Sequence, residues 1–236
     1  EHRIRNFLLA LLQWILLRGK RTGEIPDEIN LQQVRSNIQQ ILIIRTGKAL
    51  GDALMSLALI PECRKLFPKA RVDFLLRDNI SPLFREGAGV DHVLEWHPRI
   101  LKWPRATLSL LRTLRGSRYD LVIACDNPFK SSFTTLCLTL FTGARHRAGF
   151  ENEESRAFLN LPVSPTRDQH MVANLLRLLA PFGGTVSQTL PRFAPPSQAM
   201  EAAGRLCGLG PDDNPILIFV SNHWRKSWPL ESFIRL

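Results

Sequence analysis

Asp52 closes the stretch Arg45-Thr46-Gly47-Lys48-Ala49-Leu50-Gly51-Asp52, directly behind the aliphatic run Ile41-Leu42-Ile43-Ile44. Such a run reads as a strand buried on both faces of a parallel sheet, and the loop with two glycines delivers the aspartate to the first turn of a helix. A helix start attracts negative charge, so a carboxylate there can act as a base on a hydroxyl or bind a cationic ligand. The same position also suits an N-terminal cap, and the local pattern leaves both readings open.

A second constellation lies near the carboxy terminus. Pro215-Ile216-Leu217-Ile218-Phe219-Val220 reads as another buried strand, followed by Ser221-Asn222-His223-Trp224-Arg225-Lys226-Ser227-Trp228-Pro229. Pro229 suits the first turn of a following helix. Loops after parallel strands are where phosphates dock. Here a hydroxyl, an amide and two cations, Arg225 as a fork and Lys226 as a point charge, suit a diphosphate.

The elements that must hold these loops alternate as parallel βαβ units do. We expect a strand over 41–45, a helix over 51–66, strands over 71–76 and 93–96, and a helix over 104–115. A strand over 120–125, a helix over 131–142, a short extended segment at 147–149 and a helix over 168–181 complete the first domain, which closes at Gly183-Gly184. Residues 22–36 read as a polar linker. Pro191 and Pro195-Pro196 form a Pro-rich link to an amphipathic helix over 198–207. The organisation is therefore an amino-terminal segment 1–38, a Rossmann-like domain 39–185, and a link with the start of a second domain, 186–236.

Two rival nucleotide motifs fail. A P-loop needs a glycine where Leu42 stands and Ser or Thr where Ala49 stands. A dinucleotide fingerprint needs three glycines, and only Gly47 and Gly51 are present. Asp78, near the end of the second strand, does sit where a ribose-binding acid would, which keeps a nucleotide-dependent oxidoreductase as a minor alternative.

The chain carries 31 Lys and Arg against 21 Asp and Glu, a formal charge of +10, and 44% hydrophobic residues. That balance favours anionic partners, such as phosphorylated glycolipid or an acidic membrane face. Nucleic acid is disfavoured, because no helix of clustered basic residues and no aromatic stacking platform stands out. Cys63, Cys125, Cys137 and Cys207 show no CxxC spacing, so we expect inert thiols in a reducing cytoplasm. The six histidines make no HxxxH or HExxH pair, and no protein-built metal site is expected.

Residues 7–17 form an apolar run interrupted only by Gln13, with Arg3 and Arg5 before it and Arg18, Lys20 and Arg21 after. It is too short to span a bilayer and has no small-residue cleavage site behind it. Two readings remain for residues 1–22: an interfacial helix on anionic lipid, with Trp14 at headgroup depth, or a helix packed on the protein's own surface.

The ordered set of motifs resembles glycosyltransferase family 9, the heptosyltransferases of lipopolysaccharide core synthesis. It comprises the first strand through Leu50-Gly51-Asp52, Tyr119-Asp120-Leu121-Val122-Ile123 with Lys130-Ser131, and Gly143-Ala144-Arg145-His146-Arg147-Ala148-Gly149-Phe150. His170-Met171-Val172-Ala173-Asn174 and Lys226-Ser227-Trp228-Pro229 follow in the same order. The chain departs from the family pattern in a loop one residue longer before Leu50, and in Ala124 and Asn127, which stand where the family often has Asp and Gly.

The resemblance implies an α/β fold of GT-B type: a Rossmann-like parallel-sheet amino-terminal domain that holds the acceptor, and a second such domain, entered just before Leu236, for a nucleotide-sugar. It implies Asp52 as general base in inverting transfer, ADP-heptose as donor and an anionic glycolipid as acceptor. Ser221, Asn222, Arg225 and Lys226 would hold the donor phosphates in place of a metal, with no cofactor. Gly51 and Lys130, the latter at a helix start, would face the acceptor, although a solvated lysine is an equal reading of Lys130. The enzyme would be cytoplasmic, peripheral on the inner membrane face. The alternative is a truncated chain that binds glycolipid or a partner without catalysis.

Overall fold

The computed structural model describes residues 31–99, 102–186 and 193–208, together with Gly210 and Asp213. The chain divides into two compact units, residues 1–194 and 195–236. In the first unit, six parallel strands form one sheet: β1 (Gln40–Arg45), β2 (Arg71–Arg77), β3 (His92–Trp96), β4 (Leu121–Ala124), β5 (His146–Phe150) and β6 (Leu161–Val163), in the order β3-β2-β1-β4-β5-β6. The chain winds outward from β1 to β3, then returns to lay β4 on the other side of β1. This doubly wound order opens a crevice between the carboxyl ends of β1 and β4, where ligands of such sheets bind.

The aliphatic run of β1 is unbroken because both its faces are covered. Ile41 and Ile43 pack in a core with Ala53, Leu57, Cys63 and Leu175, while Leu42 and Ile44 face Leu110, Leu114 and Leu138. Each fully buried side chain of this size contributes about 1.5–3 kcal/mol. The first face is covered by α2 (Leu50–Ser56), α3 (Leu59–Leu66) and α6 (Met171–Arg177), and the second by α4 (Pro104–Gly116) and α5 (Phe133–Thr142).

Several boundaries differ from the sequence reading. The expected helix over 51–66 is two helices. Pro61 has no N–H for the Leu57 carbonyl, and the Ile60 N–H takes that carbonyl at 3.1 Å instead. The end of the expected linker is helix α1 (Leu31–Asn37), tied down by Arg35, whose Nε donates to the Phe182 carbonyl at 2.7 Å. The segment 147–149 is a full strand. β6 was not anticipated: three residues with Pro162 in the middle carry no periodicity, and an edge strand tolerates the missing N–H. The helix over 168–181 is α6, capped by His170, followed by a 3₁₀ turn Ala180–Phe182.

In the second unit, helix α7 (Ser197–Cys207) follows Pro195-Pro196. The strand expected at 215–220 and the amino-terminal apolar run lie outside the described residues. Among the described residues, no helix is long and apolar enough to cross a membrane.

Cys63 and Cys125 are buried thiols, pushed up by burial to about 12 and about 11; half-buried Cys137 is likewise pushed up to about 11. All three therefore stay protonated and inert at neutral pH.

Candidate active site

Arg45 is the last residue of β1, and its side chain is only 4% exposed. Its Nη1 donates to the Cys125 carbonyl, just past β4, at 2.6 Å, and its Nη2 donates to Asp52 Oδ2 at 2.5 Å. One guanidinium thus ties the crevice's two walls together and fixes the carboxylate between them. Asp52 lies in the first turn of α2, yet it is not the cap: Ala49 occupies that position, with no side-chain cap bond. The Asp52 side chain is 38% exposed, so it faces solvent while its far side is anchored on a buried cation. Gly51 beside it is exposed, and a Cβ there would meet nothing within 4 Å, which leaves open ground at the carboxylate.

Behind Arg45 sits a carboxylate the sequence reading did not single out. Asp126 is buried; its Oδ2 accepts from the Ser132 N–H at 3.0 Å and its Oδ1 from the Thr135 hydroxyl at 3.0 Å. Thr135 spends its one proton there, so Thr46 must donate to the Thr135 oxygen across 2.8 Å. Burial pushes Asp126 up to about 6, against the opposing pull of the two hydrogen bonds and the charge of Arg45. The signal available in sequence was an aspartate immediately beyond the aliphatic run of β4.

Lys130 does not start a helix, because α5 begins only at Phe133 under a Ser132 cap. It sits in the turn after β4, its N–H donating to the Asn127 carbonyl at 3.1 Å, with its side chain exposed. Ala124, the small residue at the end of β4, pairs with Gly149 of β5. A Cβ on Gly149 would come within 3.2 Å of the Ala124 Cβ and 2.7 Å of a Leu159 methyl. Ser221, Asn222, Arg225 and Lys226 lie outside the described residues.

Beside the crevice, the loops after β1, β2 and β3 enclose a cavity of about 310 Å³ lined by Lys48, Arg77, Asp78, Asn79, Pro98, Arg99, Lys102 and Trp103. Four cations face a single acid there, and that acid is engaged: Asp78 Oδ2 is 3.0 Å from His97 Nδ1. Asp78 thus lies among cations that favour an anionic group rather than a bare ribose. Only Asp78 of this set was flagged by sequence, since the cations converge through strand order. Among the described residues, no three His, Cys, Asp or Glu side chains gather as a metal site would require.

A doubly wound parallel sheet with its polar residues gathered at the carboxyl edge is the Rossmann-like half of a GT-B fold. The chain belongs to glycosyltransferase family 9 (heptosyltransferase), whose sequence profile matches residues 107–236. It is 25% identical over 140 residues to lipopolysaccharide heptosyltransferase 3 of Escherichia coli K12, covering 57% of this chain and 40% of that protein. To lipooligosaccharide heptosyltransferase 2 of Haemophilus ducreyi it is 28% identical over 114 residues, covering 47% and 31%.

The family 9 glycosyltransferase of Veillonella parvula superposes with a TM-score of 0.66 at 19% identity, over 84% of this chain and 57% of that one. The Escherichia coli heptosyltransferase WaaC with ADP-2-deoxy-2-fluoro heptose gives 0.59 at 20%, over 82% and 62%. The chain thus spans less than half the length of these curated relatives.

Proposed function

We propose that the whole protein is an inverting glycosyltransferase that moves a sugar, heptose from ADP-heptose, onto a lipopolysaccharide-core or related glycolipid acceptor. The observation that carries this reading is Asp52, a half-exposed carboxylate at the topological switch point, held from behind by buried Arg45. Family membership and the relatives' names support the reaction class.

In this mechanism Asp52 takes the proton of an acceptor hydroxyl as that oxygen attacks the anomeric carbon. The new C–O bond forms on the face opposite the breaking bond to the diphosphate, and the bonding pair leaves on the phosphate oxygen. Lys226, with Arg225, Ser221 and Asn222, takes up that charge, so neither a metal nor a cofactor is needed. The cationic cavity of Lys48, Arg77, Arg99 and Lys102 receives a phosphate or carboxylate of the acceptor, and Lys130 offers a further cation near the crevice. Such a reaction belongs in the cytoplasm, at the inner membrane face.

The test is to incubate the full-length protein with ADP-heptose and a heptose-acceptor glycolipid without added metal, following ADP release and the anomeric configuration of the product. Inverted product in the presence of a chelator is expected; retention, or dependence on a divalent ion, would refute the mechanism. Lys226→Ala should cost roughly 3 kcal/mol in the chemical step, the scale for one pre-placed electrostatic group. Unchanged rate and diphosphate affinity in that variant would remove Lys226 from the site.

A further inference from the structure

With Asp52 read as the general base, we propose that Phe129 is the platform on which a saccharide ring of the acceptor lies, so that its hydroxyl reaches Asp52. Phe129 sits in the turn after β4, and two asparagine side chains build the ground around it. Asn127 Oδ1 accepts the Phe129 N–H at 2.9 Å, and the Asn127 carbonyl accepts the Lys130 N–H at 3.1 Å, which closes the turn. At the end of the sheet beyond β6, buried Asn174 of α6 grips Thr166 from both sides. Its Oδ1 accepts the Thr166 N–H and its Nδ2 donates to the Thr166 carbonyl, each at 2.8 Å. The next residue is Arg167, whose guanidinium lies over the Phe129 ring, 5.3 Å from its centroid. The segment His170–Asn174, picked out in the sequence without a role, thus fixes the loop that carries this arginine.

β5 lies between β4 and β6, so the contact of Phe129 with Arg167 spans the carboxyl end of β5. The loop after β5 is tied into the same rim: Asn152 Nδ2 donates to the Ser131 hydroxyl, and Glu151 Oε2 accepts from the Ser164 hydroxyl at 2.8 Å. On its other side the turn after β4 meets the crevice. Ser132 Oγ is 3.2 Å from Thr46 Oγ, and Thr46 directly follows Arg45, which holds Asp52.

Three loops are therefore locked together around a phenyl ring that stays 52% exposed. A ring that served only the fold would contribute more if it were buried. One aromatic ring among a hydroxyl, an amide and an ammonium group, those of Ser131, Asn152 and Lys130, is the kind of lining that orients a small polar ligand. A saccharide has the matching double character: an apolar C–H face to lie on the phenyl group, and hydroxyls around its edge. An acyl chain needs a contiguous apolar surface, which Asn127, Lys130 and Arg167 interrupt here.

The test measures binding and transfer separately on the full-length protein. The probe is the deacylated saccharide of a heptose-acceptor glycolipid, titrated by calorimetry and then offered as acceptor with ADP-heptose. Phe129→Ala should weaken saccharide binding and raise acceptor KM by about tenfold, with donor KM unchanged. Phe129→Tyr, which keeps the ring face, should stay within about twofold of wild type. Arg167→Gln, which removes the cation and keeps the ring, should cost about threefold. Wild-type saccharide affinity in Phe129→Ala would overturn the proposal, whether or not the unfolding temperature of that variant falls. No binding by the wild type, or an equal loss in Phe129→Tyr, would overturn it too. Phe129-dependent binding without transfer, or with Asp52→Asn as active as wild type, would leave the platform standing and defeat the catalytic reading instead.

Discussion

The crevice at β1 and β4 and the cavity at β2 and β3 open on the same edge of one sheet, yet they treat charge in opposite ways. In the crevice the charges nearest the sheet are held: Arg45 by the Cys125 carbonyl and Asp52, Asp126 by Ser132 and Thr135. In the cavity, Lys48, Arg77, Arg99 and Lys102 crowd around one engaged acid. Fixed, partly desolvated groups suit a step that needs orientation to within a fraction of an ångström. Arg77 is half-buried and pairs with Asp78 at 3.9 Å, but Lys48, Arg99 and Lys102 are exposed cations on long stems, which suit capture of an anion whose position need not be exact to that degree. The difference teaches that the first region is built for positioning and the second for recruiting, which the following measurements test.

Breaking the crevice should show first in stability. Burial pushes the Asp126 carboxyl up to about 6 in the folded chain, above the ordinary aspartate value of 3.8. A carboxyl raised in this way stabilises the fold fully below the unfolded value, and that contribution is lost as pH rises through about 6. The pH dependence of urea unfolding should therefore differ between wild type and Asp126→Asn by about 2 kcal/mol from pH 4 to pH 7, with wild type losing more as pH rises. Parallel curves would mean that Asp126 is not a strained buried acid.

Arg45→Met should lower kcat by roughly tenfold to a hundredfold with donor KM little changed, because Asp52 loses the group that aims it. Arg45→Lys should restore part of the loss. A KM effect alone would make Arg45 a binding residue and dissolve the contrast. In the cavity the expected pattern is the reverse: Arg99→Ala or Lys102→Ala should raise acceptor KM by up to about tenfold with kcat nearly intact. The smallest effect expected concerns the sheet beneath the crevice. Gly149→Ala, forced against Leu159 and Ala124, should destabilise by about 1 kcal/mol, measured by thermal unfolding.

The sequence carried what is local. The two-sided burial of β1 shows in its aliphatic run, and Gly47 with Gly51 announces the loop that delivers Asp52. The break at Pro61 could have been read from the proline itself, had the aliphatic period not run across it. β6 could not, for three residues around Pro162 carry no period. The partnership of Arg45 with the Cys125 carbonyl joins residues 80 apart in sequence and exists only because β4 returns beside β1. The gathering of Lys48, Arg77 and Arg99 likewise depends on three strands lying in order. Such meetings are a property of topology, which no window along the chain contains.

Asp52 as general base is the central claim, and the turnover of full-length Asp52→Asn tests it most directly. Asparagine keeps the size and a hydrogen-bonding oxygen for Arg45 but cannot take a proton. Single-turnover rates should fall by about 10²–10⁴ while affinity for ADP-heptose stays within about twofold of wild type. A variant that turns over at the wild-type rate would contradict the account and leave Asp52 as a structural partner of Arg45.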